Sequence, residues 1–197
     1  MHPTLSDTMA DIVQNSFESG AKHVSLSIVE EGDRLAVEVR DDGCGMDEAT
    51  QARVLDPFYT APGKHPRRKV GLGLPFLKMT TDLCGGTFLL ESAPGKGTTV
   101  AFTLDLANVD TPPMGDLPSL FVTLMNYPGE HDLAIHHAVN GTVFDASRSE
   151  LEGVLGSLTD AGALALLNEY FASNEAELPT HTHPQPHPQK AVTSCPN

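Results

Sequence analysis

Apolar residues at Leu5, Met9, Ile12, Val13 and Phe17 recur every three or four positions, which predicts an amphipathic helix from Leu5 to Gly20. Thr4, with Asp7 three residues on, supplies a start signal, and Gly20 a stop. The period then changes. "HVSLSIV" and "RLAVEV" alternate apolar and polar positions on either side of "EEGD", which predicts a β-hairpin. "DEATQARVL" predicts a short helix ended by Pro57. An irregular stretch from Tyr59 to Val70 leads into "GLGLPFLKMTTDLC", a second helix that tolerates Pro75 in its first turn and stops at Gly85 and Gly86. "TFLLES" and "TTVAFTLDL", joined by "APGKG", predict another hairpin with Val100, Phe102, Leu104 and Leu106 on one face.

Two hairpins interleaved with helices predict an α/β two-layer sandwich, with a mixed, mostly antiparallel sheet and helices on one face. This unit spans residues 1–107, and "NVDTPPMGD" reads as a linker, residues 108–117. Beyond it, "SLFVTLMNY", "DLAIHHAV" and "TVFDAS" read as short strands, with Asn140-Gly141 as a hairpin turn. Helical stretches near Ser147 to Leu158 and Ala161 to Ala172 complete a small α+β unit over residues 118–173. Residues 174–197 are polar, His-rich and Pro-rich, and are expected to be disordered.

Charge narrows the class of partner. Acids outnumber bases by 26 to 12, which disfavours nucleic acid and anionic membranes and favours a soluble protein with a small-molecule or protein partner. Three cysteines, Cys44, Cys84 and Cys195, form no C-x-x-C pair, and "MHPTLSDTM" has no basic or apolar leader, so a reducing cytoplasm is expected. Within this acidic chain, Lys64, Arg67, Arg68 and Lys69 cluster just before "VGLGL".

The candidate chemistry begins at "VEVRDDGCGM". Leu35, Val37 and Val39 share one strand face, and period two carries Asp41 onto that same inward face. A carboxylate there needs hydrogen-bond donors, and the exocyclic amino group of an adenine is one. On the first helix, Asp11, Asn15 and Glu18 lie at i, i+4 and i+7 on the face opposite the apolar stripe. Asn15 offers an oxygen to Mg²⁺ shared with nucleotide phosphates, and Asp11 a general base for water. "KVGLGLPFL" places glycines at the start of a helix beside the basic cluster, a pattern suited to phosphate. Thr98, after "APGKG", is positioned to support the Asp41 carboxylate. The histidines of "HTHPQPHP" read as a solvated tail, and His136 and His137 point to opposite strand faces, so they cannot share one metal.

"DIVQNSFESGA" resembles the N box of the GHKL superfamily, the ATPase domains of gyrase, heat-shock chaperones, histidine kinases and MutL. "DDGCGM" resembles its first glycine box, "DPFYTAPG" its phenylalanine box and "GLGLPFLK" its second glycine box, in order over residues 5–106. "GGTFLLESAPGKGTTVAFTL" is similar to the end of a histidine kinase catalytic domain. The resemblance implies a Bergerat sandwich that binds ATP and Mg²⁺. It implies Asp41 on the adenine amino group, with Gly43, Gly45 and Met46 around the base and Asn15 on the metal. It further implies Glu18 near the nucleotide, Gly71 and Gly73 as hinges of an ATP lid with Leu72 and Leu74 between and after them, and lid bases such as Lys64 and Lys69 against phosphate. One departure is Asp11, where gyrase-like and MutL-like members carry glutamate, a longer base.

No helical hairpin with a phosphoacceptor histidine precedes this N box, and the second unit is short for a transducer domain. The expectation is a free-standing cytoplasmic module. It is either a histidine-kinase-like protein kinase or ATPase acting on a partner, or an interaction module that ATP reshapes with little turnover. The C-terminal unit is the expected docking surface for a protein partner under both.

Overall fold

The computed structural model describes residues 4–56 and 73–179. Helix α1, Leu5–Glu18, starts where the sequence signals it, because Thr4 and Asp7 form a reciprocal capping box. The hairpin follows as β1, His23–Glu31, and β2, Arg34–Asp41. Helix α2, Glu48–Val54, is capped by Asp47, and α3, Gly73–Leu83, carries Pro75 in its first turn. The second hairpin is β3, Thr87–Ala93, and β4, Gly97–Asp105.

Burial alternates along the strands as period two requires. Val24, Leu26 and Ile28 of β1, Leu35, Val37 and Val39 of β2, and Val100, Phe102 and Leu104 of β4 are buried, while the positions between them are half-buried or exposed. The buried face is roofed by helices: α1 packs on β1 and β2, and α3 on β3 and β4. This is the two-layer α/β arrangement that the element order predicts.

The C-terminal segment departs from expectation in two ways. "SLFVTLMNY" does not form a strand: it lies largely in helix α4, Leu117–Met125. Asp116 caps it by accepting from the Ser119 N–H, and its buried residues Leu117, Leu120, Phe121, Leu124 and Met125 follow helical spacing. The β-branched pair Val122 and Thr123 mimics strand composition, but the capped start and the tertiary face decide the outcome. The two remaining strands, β5, Asp132–Val139, and β6, Thr142–Ser147, form as expected around Asn140 and Gly141, both at positive φ.

The second departure is in placement. β5 pairs in parallel with β1, Leu26 opposite Ile135, giving one sheet in the order β3-β4-β2-β1-β5-β6. The segment expected as an accessory unit thus shares a sheet and a hydrophobic cluster with the first, from Leu5 to Leu178. "NVDTPPMGD" lies against α1: the Pro113 and Met114 carbonyls accept from the N–H groups of Leu5 and Ser6, at 2.9 and 2.8 Å. Those are first-turn donors that have no partner within the helix itself. Helices α5, Arg148–Leu155, and α6, Ala161–Glu177, are the last elements among the described residues. Helix α6 runs past the expected end at Ala172, because Phe171, Glu175 and Leu178 all engage the core. No described helix is long and apolar enough to cross a membrane.

Candidate functional site

The site forms where β2 ends beneath α1. Asp41 is the last residue of β2, 8% exposed, and its side chain points toward the helical layer. Three donors from three parts of the fold meet it. Oδ1 accepts from the Gly43 N–H at 2.9 Å and from the Thr98 N–H at 3.2 Å, and Oδ2 accepts from the Ser16 hydroxyl at 2.7 Å. This answers the cost of placing a carboxylate inside. Its neighbour Asp42 faces outward and anchors the start of β1. Its Oδ1 accepts from the N–H groups of Lys22 and His23, and its Oδ2 lies 2.8 Å from His23 Nδ1. The His23 backbone donor is the main cause that lowers the Asp42 carboxyl to about 2, with the His23 side chain next.

Glycines let the main-chain segments around Asp41 pack against one another. Gly97 has φ +83°, and a Cβ there would overlap the Asp41 carbonyl oxygen. Gly45 has φ +65°, and a Cβ there would overlap the Ala93 carbonyl oxygen. Neither position accepts a side chain without moving its neighbour. The Thr98 backbone supports Asp41 as expected, whereas its hydroxyl turns to Ser92 Oγ, 2.9 Å away. Met46 is half-buried, and its N–H donates to Ser92 Oγ at 2.8 Å.

On α1, Asp11 and Glu18 are exposed and Asn15 is half-buried, all on the side away from Ile12, Val13 and Phe17. The structure brings the second glycine box onto this face. A Cβ built on Gly73 would lie 3.2 Å from Asp11 Cβ and 3.4 Å from Asp11 Oδ2, so the positive end of α3 abuts the Asp11 carboxyl group. Leu74, next along α3, packs against the core. Lys64, Lys69, Gly71 and Leu72 lie outside the described residues. Among the described residues, no cluster of three or more His, Cys, Asp or Glu side chains could hold a metal. Cys44 is exposed and Cys84 buried, both as thiols.

Sequence reasoning missed Ser16, Ser92 and Gln51. Ser16 had a readable signal, since it is a polar residue on the apolar stripe formed by Ile12, Val13 and Phe17. Ser92 and Gln51 had none, because the bonds that join them to each other and to the first glycine box span 41 and 46 positions: the Gln51 amide donates to the Ser92 carbonyl at 2.8 Å, and the Met46 N–H to Ser92 Oγ at 2.8 Å.

Residues 2–108 match the family described as Histidine kinase-, DNA gyrase B-, and HSP90-like ATPase. The chain is 33% identical over 123 residues to the virulence sensor protein BvgS of Bordetella bronchiseptica, an alignment covering 57% of this chain and 10% of that protein. It is 32% identical over 103 residues to the sensor histidine kinase YxdK of Bacillus subtilis, covering 50% of this chain and 32% of that one. The chain thus spans a third or less of the length of these relatives. The N-terminal domain of a DNA repair protein, at 17% identity, superposes with a TM-score of 0.53 over 82% of this chain and 58% of its own. That likeness of fold extends beyond the segment of the family match. The arrangement around Asp41 therefore sits in a histidine-kinase-like ATP-binding domain, and the chain belongs to the histidine kinase-, DNA gyrase B- and HSP90-like ATPase family.

Proposed function

We propose that the chain is a Mg-ATP-dependent kinase or ATPase module that acts on, or with, a partner protein in signalling inside the cell. The observation that carries this reading is the buried Asp41 carboxylate, held by three donors at the mouth of a glycine-lined turn. When bound, Mg-ATP supplies a γ-phosphoryl group whose charge the ion offsets. Asp41 accepts from the amino group of the base, and Gly43, Gly45 and Met46 let the main chain approach its ring. Asn15 would offer its amide oxygen to the ion. Glu18 extends that polar face, and Asp11 takes the proton of the attacking group. By resemblance to the family, Gly71, Leu72, Gly73 and Leu74, with Lys64 and Lys69, would contact the phosphates. The segment beyond residue 117 offers the surface for the partner.

A second reading, an ATP-ordered interaction module with little turnover, draws support from Asp11 itself. It is one methylene shorter than the glutamate of gyrase-like and MutL-like members, so it reaches less far toward a water.

Calorimetric titration with Mg-ATP tests the nucleotide reading. Wild type binds, and Asp41→Ala loses at least about tenfold in affinity, the scale of one charged hydrogen bond. Equal affinity in both overturns it. Gamma-labelled ATP then separates the classes: label on a partner supports the kinase, released labelled phosphate supports the ATPase, and tight binding with neither supports the module. Asp11→Asn is expected to abolish turnover while leaving binding intact.

A further inference from the structure

We propose that Ser16 is a positioning residue that sets base selectivity, orienting Asp41 so that the site takes a 6-aminopurine nucleotide and turns away a 6-oxopurine. The inference rests on the nucleotide reading above and adds a residue and a selectivity to it.

Each oxygen of a carboxylate offers about two acceptor directions. On Asp41, both directions of Oδ1 are taken, by the Gly43 and Thr98 main-chain donors at 2.9 and 3.2 Å. On Oδ2, the Ser16 hydroxyl takes one at 2.7 Å. One acceptor direction remains on that oxygen, and it suits an amino hydrogen. The Ser16 hydroxyl also lies 3.5 Å from the Ile12 carbonyl, and the shorter contact assigns its single hydrogen to Asp41. Ser16 is only 4% exposed, so water does not compete freely for that hydrogen. The hydroxyl therefore offers no donor to an incoming base. A ring carbonyl at the 6-position would meet acceptor against acceptor, whereas an amino group would meet an acceptor.

The arrangement also stiffens Asp41. Without Ser16, the carboxylate keeps two bonds, both on Oδ1, and can swing about that oxygen. A water filling the space of the lost hydroxyl could present a hydrogen to a carbonyl. Selectivity, more than affinity for ATP, is the quantity that Ser16 controls.

The experiment is calorimetric titration of ATP, inosine triphosphate and purine riboside triphosphate, in magnesium buffer, with wild type, Ser16→Ala, Ser16→Thr and Ser16→Cys. Wild type is expected to favour ATP over inosine triphosphate by about tenfold or more, one hydrogen bond gained against one mismatch. Ser16→Ala should narrow that ratio to about threefold, with Ser16→Cys between. Ser16→Thr, which keeps the hydroxyl, should restore it. A Ser16→Ala protein that weakens all three nucleotides by the same factor, or keeps the wild-type ratio, overturns the inference and leaves the nucleotide reading standing. Wild-type protein that binds none of the three overturns both.

Discussion

His137 Nδ1 lies 2.7 Å from Glu175 Oε1, so a buried imidazole on β5 is joined to the end of α6, while its Nε2 lies 3.0 Å from Glu30 Oε1 on β1. One histidine thereby links the parallel strands β1 and β5 to α6. Burial of this side chain, 1% exposed, works against its charge, but the hydrogen bonds and charges of Glu175 and Glu30 outweigh it and raise its pKa to about 9.

The sign of the pH dependence follows. A histidine raised from about 6.5 to about 9 contributes stability that is fully present below pH 6.5 and is lost as pH rises through 9. Thermal melts between pH 6 and 10 should show the melting temperature falling across that window. His137→Ala should lower stability by roughly 3 kcal/mol at neutral pH, since it removes the cation that faces the buried Glu30 and half-buried Glu175 carboxylates. It should also flatten the fall between pH 6.5 and 9. An unchanged slope in the variant would assign the pH dependence to another group.

A second prediction concerns α2, which buries no side chain. Gln51 holds it through amide bonds to the Met46 and Ser92 carbonyls, at 3.1 and 2.8 Å. Each is worth about 1 kcal/mol, too little to matter globally and enough to matter for an element with no apolar anchor. Gln51→Ala should speed amide hydrogen exchange across α2 severalfold with the melting temperature almost unmoved. Protection of α2 equal to wild type would mean that other contacts hold it.

What could be read from the sequence divides along the range of the interactions. The capping box of Thr4 and Asp7, the stripe from Leu5 to Phe17 and the period that turns Asp41 inward are all set by neighbours within a turn or a strand. The pairing of β1 with β5 joins residues more than a hundred positions apart, and no local pattern announces it. Helix α4 was hidden by its own composition, because Val122 and Thr123 suit a strand while Asp116 and the buried spacing of Leu117, Phe121 and Leu124 select a helix. At the site, Asp41 was legible from periodicity and Thr98 from its place after the glycine turn, whereas the Ser16 donor is supplied by tertiary packing across 25 positions.

Gly97 should be the most sensitive backbone position near the site. Its φ of +83° and the overlap of any Cβ with the Asp41 carbonyl oxygen make alanine costly on two counts. Gly97→Ala should destabilise by about 2 kcal/mol or more, read from urea unfolding, and should weaken Mg-ATP more than tenfold by moving Asp41 and the Thr98 donor together. Gly95→Ala, at φ +71° in the same turn but with open space around its Cβ, serves as the control for backbone strain alone. If both variants lose the same stability and affinity, the close approach to Asp41 has no separate effect.

The last prediction asks whether the C-terminal segment stands or falls with the nucleotide-binding half. Phe121 of α4 is fully buried, and its ring meets Phe171 of α6 at 5.4 Å and Phe144 of β6 at 6.0 Å between centroids. Truncating such a ring costs about 3 to 5 kcal/mol through lost burial and the cavity left behind. If the segment folded apart, Phe121→Ala would lower one transition and spare the other. With β5 hydrogen-bonded to β1 and α4 packed on α1, the loss should instead be transmitted to the whole sheet. Calorimetric unfolding of Phe121→Ala should therefore show one transition, shifted down by several degrees, with Mg-ATP still raising it by mass action. Two separated transitions, the upper at the wild-type temperature, would show that the two halves fold independently.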